Sequence, residues 1–391
     1  MKTISALPQK PRLFFVIPSL KGGGAERVLI ALANHFNQLN CAPVIIALNY
    51  AEPAYVIDEG VRVIYLVDRR QNQIWHRIYY ILLTFFKLLG LFLKERPVCV
   101  LSFITSANIW SGMVGSITGT PYIVSERTSP NRSIFKLNQF FKYMVALLYK
   151  KATAIVVGSQ GVEDCLREHD TLKDVNNIYK ITNAVPAFKP VSSAPVHHRK
   201  FILGVGRLEY VKGFDLLVTA FSNAKTDDTD LLIVGDGQER ENLTRQINEL
   251  GLTNRVVLVG TKNNLQDYYS QAEIFVLPSR NEGYPNALVE AMSFGCPCIA
   301  MDCEFGPSEI IVDKYNGLLV PIGETAILSA VMGRLAHDQE LKLRLSRHAH
   351  EINYTNSTEQ IFHKWEGLLL RHVEKAAVYS SETAQEIIKV H

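Results

Sequence analysis

Short, nearly uninterrupted apolar runs alternate with helix-patterned segments along the whole of this chain, and few architectures accept that rhythm. The first half carries LFFVIPSL, PVIIALN, VRVIYL, VCVLSF, PYIVSE and AIVVGS. The second carries KFILGVGR, TDLLIVGDG, RVVLVG, IFVLPS, CPCIAMD and NGLLVP. A strand with one solvated face alternates apolar and polar residues, whereas a run that is apolar throughout suits a strand covered on both faces. Such strands separated by helices argue for parallel sheets with helices on either side. The rhythm breaks at PAFKPVSSAPVHHRK, residues 186–200, where prolines, serines and two adjacent histidines intervene. The expected fold is therefore α/β, with two doubly wound, Rossmann-like domains. One is expected over residues 1–190 and the other over 198–375, with a tail at 376–391 for which the sequence gives no structure. Doubly wound sheets bind ligands outside the carboxyl ends of their strands, so function is expected there, in a cleft where the domains meet.

A length of 391 residues suffices for two full cores, and 47% hydrophobic with 20% charged residues describes a folded globular chain. A net charge of +3 is too small to argue for a nucleic-acid partner. Cys41, Cys99, Cys165, Cys296, Cys298 and Cys303 are scattered without CxxC spacing, which favours a reduced, cytoplasmic setting. The amino-terminal stretch MKTISALPQKPRLFF lacks the apolar core of a signal peptide. His197 and His198 read as linker residues rather than metal ligands, since no second cluster of ligand-type residues is evident beside them.

The densest chemistry lies in NEGYPNALVEAM, residues 281–292, directly after the apolar run IFVLPS. Pro285 suits the first turn of a helix and Gly295 its stop. Glu282 then falls in the strand-to-helix loop and Glu290 more than a turn inside the helix. Between them the backbone N–H groups of Asn286, Ala287 and Leu288 face outward at the positive end of the helix dipole, an anion site. Carboxylates around a phosphate-sized pocket make sense when the ligand carries both phosphate and hydroxyl groups, as a sugar nucleotide does. Upstream, GVGRLEYVKGFD places Arg207 and Lys212 just past a strand, where two cations can neutralise a departing diphosphate; a solvated loop is the simpler alternative. Gly235 and Asp236 end the next strand in GDG, which is also a common turn former. Near the amino terminus KGGGAER, with Gly23 and Gly24, lets backbone approach a ligand closely. It is not GxGxxG, and no acid follows at the distance that reads a dinucleotide ribose, which counts against NAD.

Taken together, GGGAER, GRLEYVKGFD, LLIVGDG, EGYPNALVEA and GPSEII followed by NGLLVP resemble the retaining glycosyltransferases of family 4, over nearly the whole chain. The resemblance implies the GT-B fold, a nucleotide-sugar donor expected to be UDP-linked, and no metal or other cofactor. It implies that Arg207 and Lys212 hold the donor diphosphate, that Glu290 binds the ribose hydroxyls, and that Glu282 stands beside the transferred sugar. Asn286, Ala287 and Leu288 would meet the phosphate through their backbone, and Gly23 and Gly24 would close over the donor from the other domain. Many members carry a histidine after the strand matching PYIVSE; here the chain reads SERTSP, so Glu126 is followed by Arg127. A guanidinium is no general base at neutral pH, which leaves Arg127 to bind an acceptor phosphate or to pair with Glu126.

Two further segments are aromatic-rich and basic: WHRIYYILLTFFKLLGLFLKER at 75–96 and RSIFKLNQFFKYMVALLYKK at 132–151. The apolar part of the first is shorter than the roughly 20 residues that span a bilayer, and Lys87 interrupts it. One alternative is a pair of core helices. The other is a face lying on an anionic membrane, with Lys87, Lys94, Lys136, Lys142, Lys150 and Lys151 supplying attraction. The reading is a cytoplasmic enzyme, peripheral on the inner face of the cell membrane. It would move a hexose or N-acetylhexosamine to a lipid-linked glycan of bacterial surface polysaccharide or glycan synthesis. Its rivals are a sugar-nucleotide epimerase of the same fold and a catalytically silent sugar-nucleotide-binding membrane scaffold.

Overall fold

The computed structural model describes residues 10–68, 74–226 and 228–372, so the tail expected at 376–391 lies outside the described residues. The chain divides into two compact units, one built on a seven-stranded sheet and the other on a six-stranded sheet, both wholly parallel.

The first sheet comprises β1 (Arg12–Ile17), β2 (Ala42–Ala47), β3 (Arg62–Tyr65), β4 (Cys99–Phe103), β5 (Tyr122–Glu126), β6 (Ala154–Val157) and β7 (Ile178–Lys180), in the order β3-β2-β1-β4-β5-β6-β7. Helices α1 (Gly24–Gln38), α2 (Ile74–Glu95), α3 (Thr105–Thr118), α4 (Gln139–Lys151) and α5 (Gln160–Glu168) connect them. The pleat shows why the strands are apolar on both faces. Phe14 meets Phe92 of α2 with ring centroids 5.5 Å apart, while its neighbour Phe15 points the other way, 6.1 Å from Phe36 of α1. The second sheet comprises β8 (Lys200–Val205), β9 (Thr229–Val234), β10 (Val256–Gly260), β11 (Ile274–Leu277), β12 (Cys298–Asp302) and β13 (Leu318–Pro321), in the order β10-β9-β8-β11-β12-β13. Its helices include α6 (Phe214–Asn223), α7 (Arg240–Glu249), α8 (Leu265–Gln271) and α9 (Asn286–Ser293). All twelve expected runs contain strands. The thirteenth, β7, is a half-exposed edge strand of three residues with no apolar run to announce it.

The unit boundaries differ from the expected ones at both ends of the second domain. The break at 186–200 is not where the chain changes unit: residues 183–360 all belong to the second. The Pro/Ser-rich stretch is laid along α8, with the Ser192 amide donating to Asp267 Oδ1 at 2.8 Å and the Val196 amide to Gln271 Oε1 at 2.9 Å. At the other end, residues 361–372, expected in the second domain, return to the first. Trp365, fully buried, packs there against Phe103 with centroids 5.8 Å apart.

Candidate functional site

In the six-stranded sheet the strand order reverses between β8 and β11, so the loops that follow these two strands adjoin at the topological switch point, where open α/β sheets bind ligands. The first loop carries a single 3-10 turn, Tyr210–Lys212, and enters α6 through Gly213. Gly213 has φ +67°, and a Cβ there would lie 2.0 Å from the Pro278 carbonyl oxygen of the second loop, so only glycine lets the two loops nest.

Nesting brings Lys212 and Glu282 together. The Lys212 ammonium donates to Glu282 Oε1 at 2.7 Å, and Ser279 Oγ donates to the same oxygen at 2.7 Å. Glu282 is only 8% exposed, so water competes weakly for its carboxylate. Arg207 lies on the same loop but outward, 65% exposed, with Nη1 2.7 Å from Glu209 Oε1. Glu290 is buried within α9, and Tyr269 of α8 donates its hydroxyl to Oε2 at 3.0 Å, orienting the carboxylate.

Two details correct the expected helix start. Pro285 is the residue that caps α9, and the helix begins at Asn286. The Leu288 amide is bonded to the Pro285 carbonyl at 3.1 Å, so Leu288 drops out of the anion-binding set. The amides of Asn286 and Ala287 stand at the first turn, and the Asn286 side chain accepts from Asn183 Nδ2 at 2.6 Å. Gly235 has φ +142° and a Cβ there would lie 1.9 Å from the Gly206 carbonyl oxygen, so its requirement is loop packing. Asp236 accepts from the Gly237 amide at 2.8 Å, the turn reading of GDG.

His197 and His198 need a correction too. A third ligand-type residue does lie beside them, since Asp230 of β9 and the two histidines bring donor atoms within 4.8 Å of one another. The buried Asp230 carboxylate, however, meets His197 Nε2 at 2.8 Å, Arg199 Nη1 at 3.0 Å and Arg255 Nε at 3.9 Å. Two guanidiniums against one carboxylate oppose a divalent cation. The cluster fastens the entry of β8 to β9.

In the first unit Gly23 caps α1 and Gly24 opens it. Glu126, at the carboxyl end of β5, is buried and accepts from Thr105 Oγ1 at 2.9 Å, Asn108 Nδ2 at 2.9 Å and the Tyr149 hydroxyl. Burial raises its pKa, while the bonds from Tyr149, Asn108 and Thr105 pull it back. Arg127 follows on the strand. Its guanidinium lies 4.7 Å from the Phe103 ring centroid and 5.4 Å from that of Trp365, and Nη1 donates to the Ile181 carbonyl at 3.4 Å. Beside them Ile104, which precedes α3, has φ +74°, a strained conformation for a β-branched residue. Its amide on Ser125 and its carbonyl on the Asn108 amide, both at 3.0 Å, hold it there.

The helices over this sheet expose apolar stripes. Tyr79, Leu82, Phe86 and Leu93 of α2 lie opposite its buried stripe of Thr84, Leu88 and Phe92. Phe140, Tyr143 and Leu147 of α4 likewise face away from Val145 and Tyr149, and α3 packs against both helices. Lys94, Lys136 and Lys151 are exposed and Lys142 is half-buried. Lys87 departs from expectation, because its ammonium bends back to the Leu66 carbonyl at 2.8 Å. Lys150 is partly engaged, 3.6 Å from Asp174. Among the described residues no helix is long and apolar enough to cross a membrane.

A family model described as "Glycosyltransferase Family 4" matches residues 22–187, and one described as "Glycosyl transferases group 1" matches residues 185–352. An amylovoran biosynthesis glycosyltransferase of Erwinia amylovora is 26% identical over 89% of this chain and 96% of its own. An N-acetylgalactosamine-N,N'-diacetylbacillosaminyl-diphospho-undecaprenol 4-alpha-N-acetylgalactosaminyltransferase of Campylobacter jejuni is 28% identical over 85% of this chain and 92% of its own. Among solved structures, Anabaena HepE in complex with UDP-glucose superposes with a TM-score of 0.75 at 17% identity, covering 92% of this chain and 99% of that one.

Sequence reasoning missed Ser279, Tyr269, Asn183 and Arg280. Of these only Arg280 left a trace, as a cation inside the loop that leads to Glu282.

Proposed function

We propose a reaction for a chain that belongs to the two-domain GT-B glycosyltransferases of family 4 type: transfer of a hexose or N-acetylhexosamine, with retention, from a UDP-linked sugar to a lipid-linked glycan. The observation that carries the reading is the Lys212–Glu282 pair at the switch point of the second sheet. A diphosphate entering there draws the Lys212 ammonium onto its oxygens, with Arg207 as the second cation from the same loop. That frees the Glu282 carboxylate to accept hydrogen bonds from hydroxyls of the sugar. Glu290, held by Tyr269, takes the ribose hydroxyls. As the glycosidic bond to the diphosphate breaks, negative charge grows on the leaving oxygen, and cations already aimed at it stabilise that charge most. The acceptor hydroxyl attacks the anomeric carbon from the face the diphosphate leaves, and its proton passes to the departing phosphate oxygen. Lys212, Arg207 and the first-turn amides of α9 supply the charge, so the reaction runs without a divalent metal.

A lipid-linked acceptor is supported by the undecaprenol-diphosphate substrate named for the Campylobacter relative and by the apolar, lysine-flanked stripes of α2 and α4. On this reading the enzyme lies on the inner face of the cell membrane, and Arg127 is assigned to the acceptor phosphate. The deciding experiment offers a panel of nucleotide sugars and polyprenyl-diphosphate-linked glycans, with and without excess EDTA, and reads product mass and anomeric configuration. Retained configuration and full turnover in EDTA are expected. Interconverted sugar nucleotide without acceptor would establish the epimerase instead. Loss of turnover restored by Mg²⁺ or Mn²⁺ would overturn the metal-free step.

A further inference from the structure

We propose that Arg280 is a positioning residue that locks the Tyr210–Lys212 turn and thereby holds the Lys212 ammonium in register with Glu282. A 3-10 turn of three residues is not stable by itself, so something outside it must fix where Lys212 points. Arg280, in the loop after β11, grips that turn from several directions. Its own amide donates to the Val211 carbonyl at 2.8 Å, and Nη1 donates to the Tyr210 carbonyl at 2.8 Å. The guanidinium lies 4.1 Å from the centroid of the Tyr210 ring. Its fork also closes on Asp215, in the first turn of α6, with Nη1 to Oδ1 at 2.7 Å and Nη2 to Oδ2 at 2.5 Å.

These contacts bracket Lys212 on both sides in sequence, at residues 210, 211 and 215. Asp215 is 42% exposed, so its ion pair alone would contribute little. The geometry is what matters: a planar fork satisfies a helix-anchored carboxylate and a turn carbonyl together, which lysine's single ammonium cannot reproduce. Gly213 against Pro278 adds the backbone half of the same lock. The latch stands on these contacts alone, whereas its catalytic consequence rests on the diphosphate role given above to Lys212.

The test uses the full chain with Arg280→Ala, Arg280→Lys and Asp215→Asn. Amine labelling by an N-hydroxysuccinimide ester, read by peptide mass spectrometry, reports how firmly Lys212 is held, with Lys314, 80% exposed, as internal reference. Lys212 should label about tenfold faster in Arg280→Ala, the factor that accompanies loss of one charge-assisted hydrogen bond, while Lys314 is unchanged. Unchanged Lys212 labelling in variants that melt as the wild type does would overturn the latch. Should Arg280→Ala fail to fold, Arg280→Lys and Asp215→Asn carry the same readout. In turnover, Arg280→Ala should lower kcat in the wild type and cost nothing further in a Lys212→Ala background. Additive losses would show that Arg280 acts on the donor itself. A wild type inert toward every donor would overturn the functional reading and leave the labelling result standing.

Discussion

Lys212 and Glu282 sit 2.7 Å apart with the carboxylate 8% exposed, so a ligand that takes one charge must leave the other satisfied. The proposed sugar diphosphate would do both, phosphate to the lysine and hydroxyls to the carboxylate. Lys212→Ala is therefore expected to lower kcat/KM by about 10²-fold or more, the scale of losing one transition-state donor. Steady-state kinetics on the folded variant checks it, and an unchanged rate would remove the role. Glu126 gives a second prediction, in stability. Burial raises its pKa above the ordinary 4.5, so the folded state holds its proton where the unfolded chain has lost it. The sign follows: stability present below the ordinary value is lost as pH rises toward the raised one. Glu126→Gln removes that titration while keeping the shape. Melting curves at pH 5 and pH 8 should show the glutamine variant gaining on the wild type as pH rises, and parallel shifts would refute a buried, titrating Glu126.

Strands were legible because a doubly covered strand is apolar along its own length, a local property, whereas the site was legible only by residue type. Lys212 and Glu282 were picked out as a cation and a carboxylate past strand ends, and Glu290 as a carboxylate inside the helix that follows. Tyr269, Ser279 and Arg280 were not, because a tyrosine or a serine becomes an orienting group only through a partner that folding supplies. The same limit applied to α2 and α4, whose composition suited a core helix and a membrane face equally. Each turns out to have one stripe in the core and another in solvent. Of the six lysines, Lys87 is held on Leu66 and Lys150 lies near Asp174, which leaves Lys94, Lys136 and Lys151 exposed and Lys142 half-buried. Each lysine near an anionic surface is worth about 1 kcal/mol, and that part fades with salt. Co-sedimentation should show preference for anionic over neutral liposomes, weakened but not abolished at high salt. A Lys136/Lys142/Lys151→Glu variant should lose the preference. Equal binding of variant and wild type to anionic vesicles would rule out this docking face.

At the scale of the whole chain, two doubly wound sheets were readable from rhythm, but the return of residues 361–372 to the first unit was not. Helical periodicity shows that a segment has an apolar face without showing which sheet receives it, and here the receiving sheet lies some 260 positions back in sequence, at Phe103. Trp365 makes the consequence testable. It is fully buried, packs on Phe103 and lies 5.4 Å from the Arg127 guanidinium, in the unit that residues 10–158 build. Removing such a side chain costs about 3–5 kcal/mol in transfer and cavity terms together. Because the chain has two units, a single melting temperature would not locate that loss. Hydrogen exchange read by mass spectrometry would. In Trp365→Ala, peptides covering β4 and β5 should lose protection while those covering β8 to β12 keep theirs. Loss confined to the six-stranded sheet would return residues 361–372 to the second domain, where their position in sequence alone would place them.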